Sequence, residues 1–298
     1  MPTKKRDKVA VLIPCYNEES TIQNVVSEYK SILPDSTVYV YDNNSDDDTY
    51  NVAQNAGAIV RKEEYQGKGN VIRRMFSDIE ADVYLVVDGD MTYDSSVAQL
   101  MIDKLRNEHL DMVICTRLEV SDKAYRLGHK MGNYFFSSAV GVIFGKKISD
   151  VLTGYKVLSR RFVKTFPAHG HGFDIEHEFT VHSLEMRLPI SEITTEYFPR
   201  PEGSNSKLST YKDGVKILFS IFKLVFTEKP LISFSLIAFL LLFVGVIWGW
   251  FYVVYPWILT GVIEALPSAI LATGFIILSF LMFITGLIIQ ATKKHRKE

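Results

Sequence analysis

Residues 231–255 (LISFSLIAFLLLFVGVIWGWFYVVY) and 268–290 (SAILATGFIILSFLMFITGLIIQ) contain no Asp, Glu, Lys or Arg. A helix of about 20 apolar residues crosses the hydrocarbon core of a bilayer, and each run is longer than that. Core helices of a soluble protein are the alternative, but two such runs in succession are rare in soluble folds. The C-terminal part of the chain is therefore expected to be a two-helix membrane hairpin.

The linker between the runs, PWILTGVIEALP (256–267), is too short for a domain, so both ends of the hairpin lie on one side. Lys223 and Lys229 precede the first run, and Lys293, Lys294, Arg296 and Lys297 follow the second, whereas the linker carries only Glu264. Positive charge gathers on the cytoplasmic side of a membrane. The N-terminal domain and the tail are thus expected in the cytoplasm, with a prokaryotic cell membrane as the setting. Trp248, Trp250, Tyr252, Tyr255 and Trp257 cluster at the far end of the first run, as an aromatic belt does. The start, MPTKKRDKVAVLIP, has too short an apolar run for a signal peptide.

The expected domains are 1–207, a cytoplasmic catalytic domain; 208–229, an amphipathic helix at the membrane interface; and 230–298, the hairpin and basic tail. In the middle segment Lys212, Lys216, Ser220, Lys223 and Thr227 recur at helical spacing among Leu, Ile, Val and Phe. A basic stripe on an apolar helix suits the headgroup layer. With 33 basic and 34 acidic residues, the chain carries no electrostatic signature for nucleic acid. Cys15 and Cys115 are the only cysteines, which gives neither a disulfide framework nor a metal site.

From residue 8 to about 120 the pattern alternates strand and helix. Strands are expected at 8–13, 37–41, 58–61, 83–87 and 112–116, with helices at 20–32, 49–56, 69–79 and 97–107; Ser20 is the expected N-cap of the first. Alternation of this kind means an α/β fold with a parallel sheet covered by helices on both faces. Such sheets bind ligands beyond the carboxyl ends of their strands. The polar clusters Cys15–Glu19, Asp42–Asp48, Tyr65–Gly69, Asp88–Asp94 and Arg117 all fall there.

The run VVDGDMTYD (86–94) places Asp88 and Asp90 at the tip of an apolar strand. Two carboxylates so close repel each other unless a cation sits between them. Mg2+ or Mn2+, held by one or two carboxylates plus substrate phosphates, fits this need and would stabilise a departing diphosphate. DNNSDDDT (42–49) has the early spacing of a calcium loop, but Asp47 replaces the needed Gly and Ala53 the closing Glu. A turn that caps a helix is the better reading. His169, His171, His177 and His182 have no metal-ligand spacing and are expected at the surface.

PCYNEE (14–19), DNNSDDDT (42–49), GKG (67–69) and DGD (88–90) together resemble a GT-A, family 2 glycosyltransferase. DVLTGYKVLSRRF (150–162), HGFDIEHEFTVHSLEMRLPISEI (171–193) and RPEGSNSKLSTYKDG (200–214) resemble its polyprenyl-phosphate branch, the dolichol-phosphate mannose synthase-like enzymes. The resemblance covers about residues 8–230, and it implies a Rossmann-like, mostly parallel sheet. It further implies a nucleotide-sugar site at Pro14, Tyr16, Glu18, Asp42, Lys68, Asp88, Gly89 and Asp90, with Asp42 reading the base. Asp88 and Asp90 would hold the metal, with Thr92 where some relatives place a further ligand. Asn43 stands where many relatives have a second Asp, so the base stays open; a UDP-sugar is the expected donor and a GDP-sugar the runner-up.

A phosphate monoester has a second pKa near 6, so it attacks without a strong base and needs cations to hold it. Arg117, Arg126, Arg200 and Lys207 are the candidates, since Arg grips phosphate oxygens bidentately. Asp150 stands where relatives place an active-site carboxylate, and Asp174 and Glu176 either orient the acceptor or anchor a helix. Asp88, Asp90, Asp150 and Arg117 form the expected catalytic set. The function expected is inverting transfer of one sugar to undecaprenyl or dolichyl phosphate by a membrane enzyme, with the homo-oligomeric state left open. Transfer to another lipid or sugar acceptor, or non-catalytic nucleotide-sugar binding, are the alternatives.

Overall fold

A computed structural model describes residues 7–119, 127–145, 148–167, 175–201, 219, 222, 225, 226, 228–263 and 265–297. The chain divides into two compact units, Met1–Ile217 and Leu218–Glu298.

The first unit runs β1 (Val9–Cys15), α1 (Glu19–Ile32), β2 (Thr37–Asp42), α2 (Thr49–Asn55), β3 (Ile59–Lys62), α3 (Lys68–Asp78), β4 (Val83–Val86), a 3-10 turn (Ser95–Val97) and α4 (Ala98–Asn107). It continues with β5 (Met112–Glu119), α5 (Leu127–Phe144), β6 (Lys156–Ser159), α6 (Arg160–Thr165), α7 (Ile175–Glu185) and β7 (Ile190–Tyr197). The seven strands form one sheet in the order β3-β2-β1-β4-β6-β5-β7. All pairings are parallel except those of β6, which runs against both β4 and β5. The fold is a mostly parallel α/β sheet, as expected. The reversed strand β6 was not anticipated. Its direction brings the start of β6, and the turn before it, to the edge where the other strands end.

Strand β1 (VAVLIPC) is buried along nearly its whole length, because helices cover both faces of the sheet centre. Ile22, Val25, Val26 and Tyr29 of α1 pack over it. Pro14 costs the ladder nothing. Pairing of β1 with β4 ends at Leu12 opposite Val86, and Pro14 faces that side, where no N–H is needed. The order reverses at β1: β2 follows on one side and β4 on the other. A crevice forms at such a switch point, and the segments after β1 and β4 line it.

Helix α1 starts at Glu19 with Glu18 in the cap position, so Ser20 is not the cap. The N–H groups of Thr21 and Ile22 bond to the Glu18 carbonyl. The Thr21 hydroxyl donates to the Gly89 carbonyl at 2.7 Å and ties α1 to the segment after β4.

In the second unit, α8 (Pro230–Gly249), a π-helical turn (Trp250–Val254) and α9 (Tyr255–Thr260) form one run of 31 residues. It continues well past the expected end at Tyr255. Pro256 is accommodated in the first turn of α9, where its missing N–H costs least, just after the π turn. Helix α10 (Leu266–Lys297) follows after a turn in which Gly261 adopts φ 72°. Residues Pro230–Thr260 and Leu266–Lys293 are long and apolar enough to cross a membrane, and Leu236, Phe239 and Ile270 are about two-thirds exposed. Gly245 lies against Ala272 and Phe275, and Gly286 against Leu231 and Phe234, so α8 and α10 pack antiparallel at close range. Glu228 and Lys293 form an ion pair of 2.7 Å at the base of this hairpin. Most of 208–229 lies outside the described residues.

Candidate active site

Asp42 ends β2 opposite Cys15 of β1. It is 1% exposed, and its Oδ1 has no hydrogen-bond partner among the described residues. A buried carboxylate oxygen in that state calls for a donor from a ligand. Next to it, Asn43 is fully used: its Nδ2 donates to the carbonyls of Glu63 (3.0 Å) and Tyr65 (2.9 Å), and its Oδ1 accepts from the Gly67 N–H (2.6 Å). The amide thus fixes the loop that leads to Lys68. Gly67 there has φ 130°, a conformation open to glycine and strained for other residues. Pro14 is buried and Tyr16 half-buried at the end of β1. Asp47 accepts from the N–H groups of Thr49 and Glu19, the first residues of α2 and α1, while the N-cap of α2 is Asp48, whose side chain makes no capping bond.

Lys68 opens α3 and joins two carboxylates, Asp88 and Glu176. Burial works against its charge, but those two carboxylates outweigh it and hold the ammonium above its ordinary pKa. Glu176, expected near an acceptor or as a helix anchor, is therefore set on the lysine expected at the donor. Gly89 lies against Cys15, Ile13 and Ile22, where a side chain would collide. Asp90 is 4% exposed. Its Oδ1 accepts from the Thr92 hydroxyl at 2.6 Å, and its Oδ2 meets Arg200 at 2.6 Å. Burial, then the charge of Asp88, raises the Asp90 pKa, with Arg200 and Thr92 opposing. Arg200 also reaches Glu18 at 3.5 Å. The guanidinium expected at an acceptor phosphate thus spans the two acidic residues that follow β1 and β4.

At the end of β5, the Arg117 guanidinium makes two bonds to Asp150, Nε to Oδ2 at 2.6 Å and Nη2 to Oδ1 at 2.9 Å, and the Arg117 backbone N–H adds a third, to Oδ2 at 3.3 Å. Its guanidinium lies 5.3 Å from the centre of the Tyr197 ring. Tyr93 packs between Tyr155 and Tyr197, and its hydroxyl accepts from the Gly154 N–H at 2.9 Å. Gly154 in turn lies against the Asp88 carboxylate, leaving no room for a Cβ. Tyr93 and Gly154 were not anticipated as site residues. Their roles arise from contacts about 60 residues apart in the chain, which no local pattern displays.

The expected residues Arg126, Asp174 and Lys207 lie outside the described residues, as do His169 and His171. His182, expected at the surface, is buried instead: it stands edge-on to Phe162 and Phe166, and burial lowers its pKa.

Among the described residues no group of three or more His, Cys, Asp or Glu is placed to hold a metal alone. Asp88 and Asp90 offer oxygen ligands of the kind Mg2+ and Mn2+ prefer, and two carboxylates suffice when a diphosphate completes the shell. The donor set fits such an ion. Thr92 donates its hydroxyl to Asp90, so it orients that carboxylate.

Residues 10–166 match the family model described as glycosyl transferase family 2. The chain is 31% identical over 302 residues to glycosyltransferase AglJ of Haloferax volcanii, covering 100% of this chain and 98% of that protein. It is 25% identical to the dolichyl-phosphate hexose transferase of the same organism, covering 75% of this chain and 96% of that one. Among solved structures it resembles glucosyl-3-phosphoglycerate synthase from Mycobacterium tuberculosis in complex with Mn2+, UDP-glucose and glycerol 3-phosphate. That likeness has a TM-score of 0.57 at 19% identity and covers 72% of this chain and 80% of that one.

Proposed function

Because the chain belongs to glycosyl transferase family 2, we propose that this glycosyltransferase moves a single sugar from a nucleotide-diphosphate donor to a polyprenyl phosphate. A UDP-sugar is favoured. The observation that carries the reading is the meeting of Asp88, Asp90, Arg117 and Arg200 at the carboxyl edge of the sheet, in a chain that also has two helices able to span a membrane. A hexose transferase named for dolichyl phosphate among the relatives supports the acceptor. A mycobacterial synthase solved with Mn2+ and UDP-glucose supports the donor and a divalent ion.

In this reading Asp42 receives the base, since its Oδ1 is buried and awaits a donor. Pro14, Tyr16 and Glu18 line the nucleotide pocket, and Lys68 and Gly89 stand beside the diphosphate. Asp88 and Asp90, oriented by Thr92, would hold Mg2+ or Mn2+, which neutralises charge building on the leaving diphosphate. Arg117, held in place by Asp150, grips the lipid phosphate, and Arg126 and Lys207 add positive charge. Arg200 moves from Asp90 toward phosphate oxygens when substrate binds. A phosphate oxygen of the lipid attacks the anomeric carbon as the bond from that carbon to the diphosphate oxygen breaks. The nucleoside diphosphate leaves with the electron pair, and the configuration inverts. No proton need be removed from the attacking oxygen. The hairpin keeps the enzyme at the bilayer surface where the acceptor headgroup lies, with the catalytic unit in the cytoplasm.

The test is transfer from a panel of radiolabelled nucleotide sugars to undecaprenyl and dolichyl phosphate by the detergent-solubilised protein with Mn2+ or Mg2+. An organic-soluble product, lost with EDTA and with Asp90→Ala, is expected. Turnover with a diacylglycerol or free sugar acceptor alone would refute the lipid-phosphate assignment.

A further inference from the structure

Lys156 starts β6 and is 1% exposed, with its backbone paired to Val86 of β4 and Ile114 of β5. Its Nζ donates to three backbone carbonyls: Val151 at 3.2 Å, Thr153 at 2.9 Å and Glu176 at 2.8 Å. An ammonium has three protons, and all three are used. The carbonyls come from two separate segments. The turn 150–155 carries Asp150, which clamps Arg117, and Gly154, which abuts Asp88. The first turn of α7 carries Glu176, which holds Lys68.

A buried ammonium is costly. Methionine would fill much the same space without that cost, so packing alone does not explain a lysine here. Burial draws its pKa down to about 7; Glu176 and Asp150 oppose that shift, and Lys68 and Arg117 add to it.

We propose that Lys156 is a positioning residue that locks the Arg117–Asp150 side of the site to the Lys68–Glu176 side, so that acceptor and donor groups keep one alignment. The proposal rests on the reading of this edge as a glycosyl-transfer site. One ammonium then sets the distance over which the attacking phosphate must reach the anomeric carbon. Misplacing either side should slow the chemical step more than it weakens donor binding.

The test compares wild type with Lys156→Met, Lys156→Gln and Lys156→Arg as full-length proteins in detergent, with UDP-glucose and Mn2+ as donor probe and undecaprenyl phosphate as acceptor. Lys156→Met leaves three carbonyls without their donor and is expected to lower the melting temperature. Its kcat should fall by about 10- to 100-fold while KM for UDP-glucose changes little, and Lys156→Arg should regain part of kcat. Hydrogen exchange should quicken together in Val151–Tyr155 and in the first bonded turn of α7, with β4 and β5 unchanged. Unaltered kcat, or quickened exchange in one segment only or across the whole sheet, would overturn the proposal. Should the Met and Gln variants fail to fold, Lys156→Arg decides: partial kcat supports the lock, and a folded but inactive Arg variant refutes it. The exchange arm needs no turnover. If wild type transfers no sugar from any donor, the function falls while the lock is still decided.

Discussion

Asp150→Asn isolates what the Arg117–Asp150 pair does. The side chains are 11% and 4% exposed, and the two bonds of 2.6 and 2.9 Å are bidentate. Removing one partner of a buried pair costs about 3–5 kcal/mol. Asparagine keeps the volume and one acceptor oxygen, and a hydrogen bond to a charged group returns about 1.5–3 kcal/mol. A net loss of about 2 kcal/mol follows, and in a catalytic unit of 217 residues that lowers the melting temperature by about 4–8 °C. If Asp150 acts by holding Arg117, a comparable loss in the transition state lowers kcat/KM for the lipid acceptor by about 30-fold. The donor KM should hardly move. The decisive assay is a double-mutant cycle in detergent micelles with Arg117→Met. Once Arg117 is gone, Asp150→Asn should cost little more, because the group it positions is absent. Additive losses would refute the reasoning and give Asp150 a direct catalytic role.

Asn43→Asp keeps shape but loses both N–H donors and sets a carboxylate against the carbonyls of Glu63 and Tyr65. At about 1–3 kcal/mol for each unsatisfied group, a loss of about 2–6 kcal/mol is expected in denaturation, with faster exchange in 63–67; an unchanged midpoint would count against this. Gly154→Ala pushes on the Asp88 carboxylate, and Mn2+ affinity measured by calorimetry with UDP should drop at least tenfold with little change in melting temperature. His182 has a pKa below its unfolded value, so its neutral form stabilises the fold above about pH 6.5 and that contribution is lost as pH falls through the folded value. Melting temperature should decline on acidification, and His182→Phe should flatten that slope; an identical slope in the variant would rule His182 out as its source.

The sequence displayed the features that repeat locally. Charge-free runs announced both long apolar helices, and strand–helix alternation announced the sheet and the edge where Asp88, Asp90 and Arg117 gather. What it hid depends on distant partners. Strand β6 is four residues, KVLS, too short for a period, and only pairing with Leu85 and Val113 on either side makes it a central strand. Lys156 shows no sign of its place in the sequence because its partners are backbone carbonyls, which leave no mark in residue types. Arg200 reaches Asp90 across more than a hundred residues. Pro256 read as a helix end because a breaker at the edge of an apolar run looks like one; the π turn before it is a backbone adjustment no composition reports.

The two long apolar helices meet through glycines, with backbone laid against side-chain carbon at Gly245 and Gly286. Such a seam is a matter of shape, whereas the carboxyl edge of the sheet is a mesh of opposed charges, most of them buried and so screened little by salt. A single bulky residue at Gly286 should pry the hairpin apart while the charges at the sheet edge keep their places.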